Sequence, residues 1–436
     1  MDKVKSYFMF DKFKTSWQTE IIAGLTTFIS MSYILFLNPN VLGDAGMDKG
    51  AVFTATALAS ALGCILMGVF ARYPFASAPA LGVNAFFAYT VVIGMKIPWE
   101  TALAGVFIAS ILFLLITIFR LREKIIDAIP GNIKQAISAG IGMFIAFIGL
   151  KNGGLIEKSD STLVALGSLT TPTTWITIFG LLVTVILMVR NVKGAVFIGM
   201  VLSAILGMAT GLIALPSSIV ATPPSLAPTF GVALAHIGNI NTLQLAIVVL
   251  TFLLVTFFDT AGTLVGLAEQ AGFMKNNKMP RVGSALMSDS VAMMVGSLLG
   301  TSPVGAYVES SAGIAAKGRT GVVAIVAGIM FILSLFFSPL LAVIINQVTA
   351  PALIIVGTLM ASSLAKIEWD KLEIAVPAFL IIIGMPLTYS ISDGLALGMV
   401  VYPVTMLAAK RGKEVSPIMY GLAVVFMIFL WMLNVK

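Results

Sequence analysis

The sequence predicts an all-α polytopic membrane protein, and two observations lead to that fold class. Hydrophobic residues make up 59% of the 436-residue chain and charged residues only 10%, whereas soluble domains carry about 25% charged residues. Apolar stretches long enough to cross a hydrocarbon core of about 30 Å recur from Ile21 almost to the C-terminus. No room is left for a sizeable soluble domain, so any chemistry must lie within the membrane bundle.

The apolar stretches predict about fourteen spans, with thirteen or fifteen left open. Either the last apolar run, 416–434, is a fifteenth crossing, or one of the other segments is a half-span or an interfacial helix. The predicted spans are 21–43, 52–71, 80–95, 101–119, 134–151, 173–190, 195–214, 243–270, 283–300, 304–316, 321–346, 350–365, 373–389 and 391–409.

A Pro-rich stretch, 215–242, separates the seventh and eighth spans and divides the chain into two halves, 1–214 and 243–436. Seven spans in each half force opposite orientations, so the sequence predicts a seven-plus-seven inverted repeat. The halves also match locally, since Gly68 to Pro74 and Gly296 to Pro303 each precede a short, glycine-containing span. Short, Gly/Pro-interrupted segments at corresponding positions indicate the binding site of a secondary transporter.

The two interrupted segments are 79–89 in the third span and 301–313 in the tenth. Lipid cannot satisfy backbone N–H and C=O groups, so irregular backbone at membrane depth must be buried in protein or line a cavity. We therefore expect short extended stretches that lead into half-helices near the middle of the membrane.

The distribution of charge indicates orientation and excludes nucleic acid as the reason for the net charge of +7. With the N-terminus inside, 21 of the 26 Lys and Arg residues fall in predicted cytoplasmic segments, as the positive-inside rule requires. Those segments are 1–20, Arg72, 120–134, 190–193, 275–281, 317–319, 366–371 and 410–413. The only cysteine, Cys64, lies in an apolar run without metal-ligand spacing, so we predict a packing role and no metal site.

Two carboxylates, Asp259 and Glu309, lie inside predicted spans. Asp259 is the only charged residue between Leu243 and Ala268, and a charge at the bilayer centre costs roughly 2.5 to 3.5 kcal/mol. Residues of this kind usually mark the path of a substrate, ion or proton. Two carboxylates close together cannot both ionise cheaply in a low dielectric, so we expect the pair to hold a proton and to serve in coupling.

The residue types around these acids favour a small planar ligand with polar edges. An ionised carboxylate only accepts hydrogen bonds, which suits ring N–H or amine donors, while Asn84 can both donate and accept. Hydroxyl groups lie on one face of the first span of each half, Thr27 in one and Thr256 and Thr263 in the other. The aromatic residues that could sandwich a ring are Phe86, Phe87, Phe258 and Tyr307.

These motifs resemble a known family. Phe257-Phe-Asp259-Thr-Ala-Gly-Thr263, Glu309 after Thr-Ser-Pro, and Gly82-Val-Asn84-Ala-Phe-Phe-Ala-Tyr89 are similar to the adenine/guanine/hypoxanthine permease branch of the nucleobase/cation symporters. The related uracil and xanthine branch usually has Glu-Asn-x-Gly in the tenth span. Glu309-Ser-Ser-Ala-Gly313 lacks that Asn, which argues against a pyrimidine or xanthine as the main substrate. Some relatives have a histidine at the position of Thr263.

The resemblance implies proton-coupled uptake of a purine nucleobase (hypoxanthine, guanine or adenine) by elevator-type movement, in the cytoplasmic membrane and without a cofactor. It implies core spans at 21–119 and 243–346, gate spans at 134–214 and 350–436, and a possible homodimer. Asp259, Glu309 and Asn84 would bind the base, with backbone near Phe86 and Val308 and the hydroxyls of Thr27 and Thr263. Either acid could carry the proton.

Other functions fit the sequence less well. An anion or other small-solute transporter on the same inverted-repeat plan is the main alternative, although two acids repel an anion. An enzyme would need a nucleophile and base or a metal cluster within the spans, and a passive channel would not accumulate its solute. The chain has no phosphate-binding Gly-x-x-x-x-Gly-Lys-Ser/Thr motif for ATP-driven transport. We expect Asp289 and Asp393 to cap span ends, and we give His236 no catalytic role.

Overall fold

A computed structural model of the chain describes residues 2–119, 129–240, 242–274 and 279–434. In the first half the helices are α1 Asp2–Tyr7, α2 Phe10–Phe13, α3 Trp17–Met31, α4 Ile34–Asp44, α5 Lys49–Leu66, α6 Leu81–Ala85, α7 Trp99–Ile118, α8 Gly131–Asn152, α9 Pro172–Val189 and α10 Ala195–Ala209. Helix α5 continues as π-helix over Met67–Ala71, and α6 does so over Phe86–Gly94.

In the second half the helices are α11 Val232–Ala235, α12 Leu243–Gln270, α13 Val282–Leu299, α14 Ser310–Ala315, α15 Gly321–Ser334, α16 Asn346–Ala361, α17 Leu372–Thr388, α18 Ile391–Ala408 and α19 Pro417–Asn434. Short 3₁₀ turns cover Ile237–Asn239, Leu335–Val343, Ser362–Lys366 and Gly412–Glu414. The strands are β1 Ser77–Pro79, β2 Ile156–Ser159, β3 Leu163–Leu166 and β4 Val304–Ala306.

The membrane-spanning helices follow the predicted spans. Within the described ranges, nine segments are long and apolar enough to cross a membrane, and five further apolar helices are shorter. The predicted tenth span is a strand followed by the six-residue helix α14. The last apolar run forms the eighteen-residue helix α19. Of the basic segments that indicated orientation, 120–128 and 275–278 lie outside the described residues.

Two short strands from the two halves of the chain pair inside the bundle. Strands β1 and β4 are antiparallel, with Ala78 opposite Gly305. The N–H of Ala80 donates to the Pro303 carbonyl and that of Tyr307 to the Ala76 carbonyl, each at 2.9 Å. Each extended stretch thereby satisfies the backbone groups of the other, which is the requirement for non-helical backbone at membrane depth. The predicted extended stretches in the third and tenth spans are confirmed.

Helix contacts in the two halves correspond: the contacts of a helix in one half recur when each helix is replaced by its counterpart in the other half. Helix α7 packs against α12 and α13, and α15 packs against α3 and α5, the counterparts of α12 and α13 in the other half. In the same way α8 packs against α16 and α17, while α16 packs against α8 and α9. This pattern is that of an inverted repeat.

Small residues allow the closest of these crossings. At the α8–α16 crossing, a Cβ atom added to Gly142 would lie 2.6 Å from Met360 Cβ and 2.8 Å from the Gly357 carbonyl oxygen. Glycine on both helices lets the backbones approach closely, as is common in membrane bundles.

Two features of the fold were not predicted. Strands β2 and β3 form an antiparallel hairpin in the loop after α8. A buried carboxylate, Glu20, also joins the start of α3 to the start of α15. It accepts hydrogen bonds from the Arg319 N–H at 3.1 Å and from the Thr320 N–H at 3.0 Å. The Thr320 hydroxyl donates to it as well, at 2.7 Å, so Glu20 satisfies donors at the N-terminus of α15.

Candidate functional site

Glu309 follows β4 after Tyr307 and Val308, and it lies at the N-terminal end of α14. Its partner is Tyr33, a fully buried residue at the junction between α3 and α4. The Tyr33 hydroxyl donates to Glu309 Oε1 at 2.6 Å, a short distance that is typical of a hydrogen bond to a carboxylate. The carboxylate is therefore held between the first and tenth spans.

The second predicted acid lies within electrostatic range of the first. Asp259 lies in the middle of α12, is partly exposed, and interacts electrostatically with Glu309. The buried ring of Tyr307 lies within electrostatic range of both acids, and its hydroxyl donates to the Pro79 carbonyl at 2.7 Å. Tyr307 thus connects the two interrupted segments beside the acid pair.

Hydroxyl groups near Asp259 lack partners. The side-chain oxygens of Thr256 and Thr260 are buried, and neither has a hydrogen-bond partner within the described residues. A Cβ added to Gly305 of β4 would lie 3.0 Å from the Thr260 hydroxyl, so this part of α12 packs directly on the strand. Buried hydroxyls need a hydrogen-bond partner, and a polar ligand or water bound beside Asp259 would supply one.

Asn84 lies on α6, directly after the first extended stretch, and is fully buried. Its Nδ2 donates to the Asn38 Oδ1 at 3.0 Å. Phe86, one half-turn further on, is also fully buried and packs edge-on against Phe252 with ring centroids 4.8 Å apart.

The remaining predicted site residues have different surroundings. Val308 is 59% exposed, next to Glu309. Thr27 is fully buried and donates to the Ala23 carbonyl of its own helix at 3.0 Å. Thr263 is partly buried on α12, one turn after Asp259. The side chain of Phe258, which we considered as a ring contact, lies outside the described part of the chain.

The expectation that Asp289 caps a span end is wrong. Asp289 lies in the interior of α13, is 1% exposed, and accepts a hydrogen bond from the Ser77 hydroxyl of β1 at 2.8 Å. Burial against β1 explains the difference, since the strand supplies a donor that hydropathy cannot show. Asp393 does lie near a span end, in the first turn of α18, but the capping residue there is Ser390, whose hydroxyl accepts from the Asp393 N–H.

Sequence reasoning also missed Tyr33 as a contact of Glu309 and Asn38 as a contact of Asn84. Both lie in an apolar run, where a single tyrosine or asparagine resembles ordinary packing. The signal available was Asn38-Pro39-Asn40, two amides around a proline in a span, because buried amides must be hydrogen-bonded.

Comparison with known proteins supports the fold independently. The transmembrane domain of a cyanobacterium bicarbonate transporter, BicA, superposes with a TM-score of 0.62 at 14% identity, covering 90% of this chain and 97% of that one. The overall structure of SLC26A9 gives a TM-score of 0.61 at 10% identity, with coverage of 93% and 69%. These likenesses confirm the predicted fold, an inverted repeat with core and gate domains.

Relatives found by sequence have a higher identity to this chain than these two structures have. PbuG of Bacillus subtilis (strain 168), a guanine/hypoxanthine permease, is 56% identical over 435 residues, which cover 98% of this chain and 99% of PbuG. AdeP, an adenine permease of Escherichia coli (strain K12), is 44% identical over 416 residues, with coverage of 95% and 93%. The resemblance to the adenine/guanine/hypoxanthine permease branch is therefore confirmed.

The model of the Permease family matches residues 18–397 of this chain. A permease is a transporter, so the family also confirms the prediction of a transporter in place of an enzyme. The chain is a multi-pass membrane protein that belongs to the Permease family.

Proposed function

We propose that this permease takes up purine nucleobases (hypoxanthine, guanine or adenine) by symport with protons. The observation that carries the proposal is that Asp259 and Glu309 lie within electrostatic range of each other, with Glu309 just beyond the β1–β4 strand pair. The names of the relatives PbuG and AdeP support the purine class.

The chemistry of the acid pair favours a neutral base over an anion. Carboxylates accept hydrogen bonds, and purine bases offer ring N–H and exocyclic amine donors. An anionic solute would be repelled by two acids. Likeness to BicA at 14% identity concerns the fold alone, so it does not favour anion transport by this chain.

Proton coupling follows from the same pair. Two negative charges within electrostatic range of each other inside a membrane bundle repel, so one proton bound to Asp259 or Glu309 would lower the cost of bringing both into the bundle. Because the two groups interact, the titration belongs to the pair and not to one residue. Proton binding and purine binding at one place would couple the two fluxes.

We infer that transport proceeds by movement of a core domain (core spans about 21–119 and 243–346) against a gate domain (about 134–214 and 350–436), with 215–242 connecting the repeats. A cluster of contacts between the two supports this. Tyr89 of the core donates to Asp44 Oδ2 at 2.8 Å and accepts from Asn152 of the gate at 3.0 Å.

Tyr389 of the gate extends this cluster. Its ring lies 6.0 Å from that of Tyr89, and the ammonium group of Lys151 lies 4.8 Å from its centroid. Asp44 ends the first span, so the cluster lies at the end of the bundle away from the N-terminus. These contacts, which we call the outer cluster (Asp44, Tyr89, Asn152, Lys151 and Tyr389), would close the outer side of an inward-facing carrier.

We also propose an orientation of the chain in the membrane and an oligomeric state. The positive-inside pattern supports a cytoplasmic N-terminus in the plasma membrane. A homodimer anchored through the gate domain would give the moving core a fixed scaffold.

Uptake measurements test the proposed function. Cells that express the wild type, Asp259→Asn or Glu309→Gln would be given radiolabelled hypoxanthine, guanine, adenine, uracil or sulfate, with and without a protonophore. Asp160→Asn, which removes a fully solvated loop carboxylate, is the matched charge control. Saturable, protonophore-sensitive purine uptake that either site variant abolishes supports the proposal. Sulfate uptake without purine uptake would favour the anion carrier.

A further inference from the structure

Asn38 is a buried amide at which four elements of the core meet. It lies on α4 and is fully buried. Its Nδ2 donates to the Thr56 hydroxyl at 2.7 Å and to the Thr301 hydroxyl at 2.8 Å. Its Oδ1 accepts from Asn84 Nδ2 at 3.0 Å and from the Ser302 hydroxyl at 3.2 Å. An asparagine side chain has two N–H donors and two acceptor lone pairs, so Asn38 is fully satisfied.

The partners of Asn38 come from both interrupted segments. Asn84 follows β1, whereas Thr301 and Ser302 precede β4. Thr56 on α5 fixes the other side of the amide. In the structure the carbonyl oxygen of the Asn38 amide faces Asn84 and Ser302, and its NH₂ group faces the hydroxyls of Thr56 and Thr301.

This orientation determines that of Asn84. The carbonyl oxygen of Asn38 requires a donor, so Asn84 presents its Nδ2 to it. The Oδ1 of Asn84 is therefore directed elsewhere, and this buried oxygen has no hydrogen-bond partner within the described residues. A buried carbonyl oxygen without a partner costs free energy, and native proteins keep such groups where a ligand or water completes them.

We propose that Asn38 is a positioning residue that holds the Asn84 amide so that its carbonyl oxygen, and not its NH₂ group, faces the substrate. This inference rests on the proposed function and deepens it. The fixed acceptor selects a base that offers an N–H or amine donor at that edge. Purines that differ in their donors at this edge are then distinguished by Asn84, and the discrimination depends on Asn38.

The test compares selectivity among Asn38→Ala, Asn84→Ala and the double variant. In each, unlabelled guanine, adenine and hypoxanthine compete for uptake of labelled hypoxanthine, which gives ratios of inhibition constants. We expect Asn38→Ala to change at least one ratio by about tenfold. Asn84→Ala should cause the same change, and the double variant no further change, since Asn38 acts through Asn84.

Two variants distinguish a positioning role of Asn38 from a purely structural role. Asn40→Ala removes a neighbouring buried amide of the same helix, which donates to the Ile344 carbonyl, and should leave the ratios unchanged. Asn38→Asp keeps the acceptor for Asn84 Nδ2, so it should keep the wild-type ratios while maximal uptake falls. If Asn38→Ala does not reach the membrane, Asn38→Asp decides: wild-type ratios support the inference, and ratios like those of Asn84→Ala overturn it.

Other outcomes are also decisive. Asn38→Ala with wild-type ratios, or a double variant with additive changes, would overturn the positioning role while leaving purine transport intact. A correctly inserted wild type that transports none of the three bases would refute the proposed function and this inference with it.

Discussion

The hydroxyl of Tyr33 donates a 2.6 Å hydrogen bond to the carboxylate of Glu309, which joins residues 276 positions apart in the chain. Tyr33 lies at the junction of two helices in the first span, and Glu309 begins the half-helix of the tenth. The contact links the orientation of a membrane-embedded acid to the first span of the opposite repeat. Under the proposed function, a base bound at Glu309 would also be linked to the first repeat through Tyr33.

Tyr33→Phe tests this link. A hydrogen bond to a charged group contributes about 1.5–3 kcal/mol, so the variant should lose at least about tenfold in kcat/KM for purine uptake. The measurement is initial uptake rate against purine concentration. Tyr7→Phe is the matched control, because that hydroxyl donates to the Val69 carbonyl at the exposed N-terminal end. Equal kinetics in Tyr33→Phe and wild type would contradict a role for this bond.

The outer cluster predicts a conformational effect of Tyr89→Phe. The variant loses the bonds to Asp44 and Asn152, so the outward-open state should become more populated. Val308→Cys, a largely exposed position beside Glu309, would report access to a membrane-impermeant thiol reagent. Labelling from outside should increase in the Tyr89→Phe background.

The control for this experiment is Tyr420→Phe, whose hydroxyl bonds to Gly412 within one domain. It should leave the labelling pattern unchanged. Lower external labelling in Tyr89→Phe than in the parent would show that the cluster does not hold the outer side closed. The native Cys64 is fully buried and contributes little background.

Glu20→Ala should destabilise the protein without changing selectivity. The fully buried carboxylate accepts from two N–H groups and the Thr320 hydroxyl at the start of α15, and from the Thr15 hydroxyl before α3. Each buried donor left unpaired costs about 1–3 kcal/mol. Thermal unfolding in detergent should show a lower melting temperature than Glu157→Ala, which removes an exposed loop acid. An unchanged melting temperature would refute the capping role.

Ser77→Ala tests the unexpected burial of Asp289. Loss of the hydroxyl removes a donor to a buried carboxyl group, so stability should fall by about 1–3 kcal/mol. Ser60→Ala removes an equally buried serine whose hydroxyl bonds within its own helix and should cost less. The measurement is thermal unfolding of the two variants side by side, and equal losses would argue against a special role for the Ser77–Asp289 bond.

The features of the fold that depend on hydropathy and local sequence pattern could be predicted from the sequence. The spans, the extended stretches around Pro79 and Pro303, and the positions of Asp259 and Glu309 follow from apolar run lengths and from charges that stand out against them. The pairing of β1 with β4 was less accessible, because its register joins residues more than 200 positions apart.

What the sequence did not predict depends on side chains that meet across the bundle. Tyr33 and Asn38 lie in apolar runs, so only their partners from the tenth and third spans show what they do. Asp289 was misplaced for the same reason, since the donor that satisfies it comes from Ser77 on a strand. Burial of single polar groups is set by tertiary packing, which periodicity does not record.

Purified protein in liposomes under an imposed pH gradient tests proton-coupled purine transport. With the outside acidic, proton coupling predicts that hypoxanthine accumulates inside above its external concentration, and that a protonophore or Asp259→Asn abolishes the accumulation. Hypoxanthine that only equilibrates across the membrane, at the same level with and without the gradient, would contradict proton-coupled transport by this chain.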